Sequence, residues 1–307
     1  MTLDFIISVI VTVVGISTPI LLAATGELVV EKSGVLNLGV EGMMLVGAIT
    51  GFAVTFTTSN PWLGVLCAAF AGAVLSMVFG VLVLSLNANQ VASGLALAIL
   101  GIGLSTLVGT GFTGMIVPQF SSVFASSLAQ DPVWRVVFGY SPMVYLALII
   151  IFAVGWFLTK THAGLVLRAV GENDLSAHSI GYSVTGIRYM AVAFGGAMAG
   201  IAGSYFSMVI TPMWAERMTA GRGWIALALV VFAGWKAGRL VVGAYFFGML
   251  MTLELYAKAS GFQFLPSQLW ASMPYIMAIV VLAVISFRDR SGSEAPACLG
   301  KPFQPNT

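Results

Sequence analysis

The chain has 307 residues, 59% of them hydrophobic and only 8% charged, with a mean hydropathy of +1.01. A soluble domain carries about 25% charged residues, so lipid rather than water has to solvate a fold of this composition, and a soluble enzyme is excluded. Thirteen Lys and Arg against eleven Asp and Glu, a net charge of +2, leave no basic field for nucleic acid.

Charges are sparse enough that the gaps between them delimit the elements. The start, Met1-Thr2-Leu3-Asp4, lacks the positive n-region of a secretory signal, so the first apolar run is read as a retained span. Spans are expected at roughly 5–25, 36–57, 62–86, 91–111, 141–159, 189–210, 223–235, 240–258 and 272–287. Asn60-Pro61 and Asn87-Ala88-Asn89-Gln90 are turn signals inside the uncharged run from Gly42 to Gln130. The stretch 223–235 is short for a crossing and reads as a half-helix or one arm of a broken pair. From Gly26 to Gly47, Glu27, Glu31, Lys32 and Glu41 stand among glycines. Such backbone survives at membrane depth only when buried in protein or lining a water-filled cavity. The reading is an all-α polytopic integral membrane protein of eight to ten crossings, some broken or re-entrant. A single membrane domain covers 1–290 and a polar tail covers 291–307. An inverted repeat would suit two broken segments, but no internal repeat aligns.

The Lys/Arg bias places Lys160, Arg168 and Arg188, then Lys236 and Arg239, then Arg288, Arg290 and Lys301 on one face, read as cytoplasmic. Segments Gly111–Ser141 and Thr211–Arg222 fall on the other, with Arg135, Arg217 and Arg222 as minority exceptions.

Four motifs stand out. In Ser33–Ala48, Asn37 and Glu41 are four apart and would share a helix face. Polar groups inside a span are costly. They either line a pathway, with Asn89, Gln90 and Ser93 as further polar candidates, or cap a broken helix or pair with a neighbour such as Lys32. Lys160–Arg188 is long for a connection in a compact membrane protein. Either a short helix from about Leu175 to Ile180, stopped by Gly181, offers a knob to a cytoplasmic protein, or the segment is a solvated connector lying on the headgroups. Gly196 and Gly200, like Gly47 and Gly51, form small-xxx-small faces, read as packing within the chain rather than an oligomer interface. Ala220–Ala226 and Val231–Lys236 suggest a second broken helix, a counterpart of 33–48.

No phosphate loop of the Gly-x-x-x-x-Gly-Lys-Ser/Thr type occurs, so ATP is not bound that way. No catalytic constellation or metal motif is assembled, and Cys67 and Cys298 lie too far apart in character to suggest a disulfide framework. His162 and His178 read as surface residues. A stand-alone carrier or channel driven by an ion gradient is the alternative, and it would lean on Glu41 and Glu254 as relay acids.

Three segments carry a resemblance: Gly34-Val35-Leu36-Asn37-Leu38-Gly39-Val40-Glu41-Gly42-Met43-Met44, Arg168-Ala169-Val170-Gly171-Glu172-Asn173, and Gly221-Arg222-Gly223-Trp224-Ile225-Ala226-Leu227-Ala228. The chain, from about 15 to 288, resembles permease subunits of bacterial ATP-binding-cassette importers of the simple sugar, branched-chain amino acid and nucleoside group. The first segment is most similar to the nucleoside (simple-sugar-like) branch. The resemblance implies a non-enzymatic subunit of the bacterial cytoplasmic (inner) membrane with no cofactor of its own. ATP would be bound and hydrolysed by a separate cytoplasmic ATPase. A second, paralogous permease and an external solute-binding lipoprotein or periplasmic protein would complete the importer. Arg168, Gly171, Glu172, Asn173, Asp174, Ala177 and Gly181 match the loop that couples to the ATPase, and Arg217 and Arg222 lie on the face expected to meet the binding protein. The family pattern often has proline where this chain has Asp174 and Ala237.

Overall fold

The computed structural model describes residues 3–121, 124, 132–259, 266–288 and 295–304. Arg290, the tail residues 291–294 and 305–307, and part of the segment expected between Gly111 and Ser141 lie outside the described residues. The described residues are helical, with no strand among them. The helices are α1 (Leu3–Lys32), α2 (Val40–Thr58), α3 (Pro61–Gly80), α4 (Gln90–Gly109), α5 (Pro132–Phe138) and α6 (Pro142–Lys160). They continue with α7 (His162–Glu172), α8 (Asp174–Ser179), α9 (Val184–Tyr205), α10 (Arg222–Phe232), α11 (Ala237–Ala259) and α12 (Ser267–Arg288). Five-residue π turns, Val81–Ser85 and Phe206–Ile210, extend α3 and α9. Among the described residues, seven helices are long and apolar enough to cross a membrane, and α10 and the stretch Gln268–Val281 of α12 are shorter apolar helices.

Turn chemistry sets the boundaries where the sequence placed them. Asn60 accepts the N–H groups of Trp62 and Leu63 at 3.1 and 3.3 Å, with Pro61 at the first helical position. Asn89 caps α4 by accepting the N–H of Ala92 at 3.0 Å. The glycine faces pack inside the chain, as expected. A methyl group added to Gly47 would strike the backbone of Gly200, and one on Gly72 would strike that of Gly196. The axes of α2, α3 and α9 thus approach as only glycine-lined helices can.

Four expectations are corrected. Helix α1 runs through Gly26, Glu27 and Glu31 to Lys32, and the irregular backbone is confined to residues 33–39. Asn37 therefore lies in the break and shares no helix face with Glu41, which sits in the first turn of α2. Lys160–Arg188 holds two helices rather than one, because α7 is amphipathic enough to lie along the body. Arg188 is not a loop residue: it is fully buried in the first turns of α9.

Backbone bonds join some of the connections to one another. The Val117 N–H donates to the Pro212 carbonyl at 3.2 Å, joining the segment after α4 to the one after α9. The tail joins α7 and the break: the Cys298 N–H donates to the Gly171 carbonyl at 2.9 Å and the Gly300 N–H to the Gly34 carbonyl at 3.1 Å.

Candidate functional site: the junction of two broken segments

Residues 33–39 interrupt the chain between α1 and α2, and 211–221 lead into the half-helix α10. The first four N–H groups of a helix have no partner in the helix itself. At α10 a single carboxylate supplies it. Glu41 Oε1 accepts the Thr219 hydroxyl at 2.6 Å and the Gly221 N–H at 2.7 Å, and Oε2 accepts the Gly223 N–H at 2.7 Å. A negative charge at the positive end of the helix dipole, held by charge-assisted bonds, is the favourable placement. Gly221 adopts φ 79°, and a methyl group on Gly223 would press on Glu41 itself, so glycine at both positions lets the carboxylate reach the backbone.

The far end of α10 is tied to α1. The Trp235 indole N–H donates to Glu31 Oε2 at 2.6 Å, while at the near end the Trp224 indole N–H donates to the Leu38 carbonyl of the break at 3.4 Å. The break itself is folded by its own polar groups. Asn37 accepts the Gly39 N–H at 2.9 Å in an Asx turn, and its amide points at Glu27 Oε1, 3.4 Å away. Gln90 accepts the Leu36 N–H at 2.8 Å from the start of α4. Every backbone group fastened this way is one that bare lipid could not satisfy.

The five pathway candidates thus divide. Asn37, Glu41, Gln90 and Ser93 are buried around the junction, whereas Asn89 is exposed and caps α4. Glu27 and Glu31, fully buried at i and i+4 in α1, were read from the sequence as signs of irregular backbone and not as site residues. Their spacing from Glu41 and the glycines around them were the available signal.

Around α7 and α8, Asn173 caps α8 by accepting the Ser176 N–H at 2.9 Å, and Gly181 ends the turn at φ 95°. Leu175 and Ile180 are exposed while Ala177 is buried, which leaves an outward apolar edge. Asp174 pairs with Arg188 at 3.1 Å, and the Arg188 Nε–H donates to the Ser33 carbonyl at 3.1 Å. One guanidinium therefore connects this segment to the start of the break. Glu172 is exposed and Arg168 half-buried. Around the start of α10, Arg217 is exposed, but the Arg222 guanidinium is turned inward, 5.0 Å from the Phe206 ring and bonded to the Met218 carbonyl at 3.2 Å. An apolar cavity of about 710 Å³ lies apart from the junction, between α6, α7 and α9, lined by Val154, Phe157, Leu167 and Phe194 among others.

The chain matches, over residues 9–284, the family described as branched-chain amino acid transport system / permease component. It is 40% identical over 297 residues to a putative glucose ABC transporter permease protein of Haloferax volcanii, covering 90% of each chain. It is 31% identical over 302 residues to a guanosine ABC transporter permease protein of Bacillus subtilis, covering 94% of this chain and 93% of the other. A nucleoside ABC transporter permease protein of Lactococcus lactis is 28% identical over 281 residues, covering 87% and 89%. No solved structure matches. With two broken segments locked together and the match running nearly end to end, the chain belongs to the ABC transporter permease family of the branched-chain amino acid transport type.

Proposed function

We propose that this permease serves an importer of nucleosides or simple sugars in a cytoplasmic membrane. Its partners would be a cytoplasmic ATPase, a second paralogous permease and an external solute-binding protein. The observation that carries the reading is the junction of Glu41 with the start of α10: two interrupted segments joined by one carboxylate form the pathway wall. The naming of relatives for glucose, guanosine and nucleosides supports the solute class. Nucleosides and sugars are neutral and polyhydroxylated, so hydrogen bonds rather than ion pairs would handle them. Asn37, Glu41, Gln90 and Ser93 hold the wall in shape, and Asn89 fixes the start of α4.

The ATPase docks on the segment from Arg168 to Gly181, with Leu175 and Ile180 as the apolar edge and Glu172 and Asn173 beside it. The binding protein meets the opposite end, where Arg217 is exposed. ATP closes the ATPase pair, and this segment carries the motion inward. A ligand drives such a change only through contacts that differ between the two states. The test is uptake of labelled nucleoside into vesicles containing the full complex, competed by unlabelled nucleosides and sugars. Uptake that needs ATP and fails with Glu172→Lys, while the complex still assembles, supports the assignment. Uptake without the ATPase overturns it.

A further inference from the structure

The tail segment 295–304 is anchored at three places. Its backbone bonds to Gly171 on one side and to Gly34 on the other, at 2.9 and 3.1 Å. The Cys298 thiol lies 3.6 Å from the Glu172 carbonyl. Its Phe303 ring packs on Val170, Ala177 and Val184 and stands 5.5 Å from His178. A tight turn about Gly300, at φ 74°, lets the residues on both sides of it make these contacts. Gly171 is itself pressed on the Lys32 carbonyl, so a methyl group there would force the segment off α1. Arg188 makes the same link from within, through Ser33 and Asp174.

We propose that residues 295–304 are a positioning clip that makes the α7–α8 segment and the α1–α2 break move as one body. The inference rests on the proposed docking of an ATPase at α7–α8. A push delivered there reaches two consecutive pieces of backbone: the α7–α8 connection, and residues 33–39, whose other end leads to Glu41 and the cap of α10. Without the clip, α8 retains its own cap and its Asp174–Arg188 pair, but Gly171 and Gly34 lose their common partner. Part of the displacement of α8 is then absorbed locally before it reaches the junction.

The experiment compares the full complex carrying the intact chain, a chain lacking 295–307, and Phe303→Ala. The readouts are the amount of assembled complex, basal ATP hydrolysis, stimulation of hydrolysis by solute-loaded binding protein, and solute taken up per ATP. The expected result is normal assembly and basal hydrolysis with loss of stimulation and of uptake per ATP in the deletion, and a partial loss in Phe303→Ala. Uptake per ATP equal to the intact chain in either variant overturns the clip. So does a deletion that only lowers the amount of complex, with each assembled complex working normally. If the deletion does not assemble, Phe303→Ala decides alone. Absence of ATP-driven uptake with the intact chain would instead overturn the ATPase docking on which the clip rests.

Discussion

Glu31 and Trp235 are 204 residues apart in sequence, yet the indole N–H of one donates to the carboxylate of the other at 2.6 Å, and both are buried. The bond fixes the end of α10 to the last turn of α1, while Glu41 fixes its start to α2. The half-helix has 11 residues and buries Ile225, Ala226, Leu227, Leu229 and Val230 in the core, but isolated helices of that length are marginal in water. Beside that apolar packing, two carboxylates from the other broken pair accept bonds at its two ends.

Glu31 Oε1 is already without a partner, and Trp235→Phe removes the donor to Oε2 and leaves both buried oxygens without one. A buried polar atom stripped of its partner costs about 1–3 kcal/mol. The detergent-solubilised protein should melt a few degrees lower. In a double-mutant cycle, adding Glu31→Leu should cost less than it does alone, because the orphaned group is then gone. Strict additivity would show that the two side chains do not act as a pair.

Glu41 answers three donors, so its replacements should rank. Glu41→Gln keeps one carbonyl oxygen for the Thr219 hydroxyl and Gly221 but turns an amide toward one of the N–H groups. Glu41→Ala leaves all three donors unanswered. With each orphaned buried group costing about 1–3 kcal/mol, the alanine variant should fail to accumulate folded while the glutamine variant folds with reduced thermal stability. Yield and thermal melting of the two variants check this order. An alanine variant as stable as the parent would remove Glu41 from the cap.

Asp174 and Arg188 form an asymmetric pair, with the Arg188 side chain fully inaccessible and Asp174 14% exposed. Removing one partner of a buried pair costs about 3–5 kcal/mol because the other charge is stranded, while an apolar side chain of similar volume is often tolerated. Asp174→Ala strands a buried guanidinium. Arg188→Met leaves a carboxylate that can hydrate and a Ser33 carbonyl without its donor. The aspartate variant should therefore be the less stable of the two by thermal melting. The reverse order would show that the bond to Ser33 outweighs the ion pair.

Much of this fold was legible in the sequence because lipid punishes any exposed charge or unpaired backbone group. The uncharged runs gave the spans, and Asn60-Pro61 and Asn89 gave boundaries that recur as side-chain caps. The glycine rows gave the close approach of α2, α3 and α9. Other features were not readable. Glu27 and Glu31 looked like signs of a break, but α1 continues through both, and each has one oxygen within bonding distance of a group outside α1, Asn37 for Glu27 and Trp235 for Glu31. Asn37 and Glu41 at i and i+4 suggested one face, but the Asx turn at Asn37 ends the helix pattern before Glu41 begins another. Asp174 and Ala237 open α8 and α11 at the first helical position, where a missing N–H is no loss. Ala237→Pro should thus be neutral or stabilise the protein by up to about 1 kcal/mol through the unfolded chain, seen as an unchanged or raised melting temperature.

The glycines offer a final paired test. A methyl group on Gly47 meets the backbone of Gly200 at once, whereas around Gly103, in the middle of α4, nothing lies within 4 Å. Backbone cannot swing aside as a flexible side chain can, so Gly47→Ala must push α2 away from α9, and overpacking of this kind costs about 1–3 kcal/mol. At Gly103 the same methyl meets open space, and a helix interior gains about 0.5–1 kcal/mol from alanine. Thermal melting of the two variants should move in opposite directions. Because Gly47 sits between the break and α9, its alanine variant should also slow uptake in the assembled transporter, while Gly103→Ala leaves uptake unchanged. A Gly47→Ala protein that melts and transports like the parent would mean that α2 and α9 do not meet through these glycines.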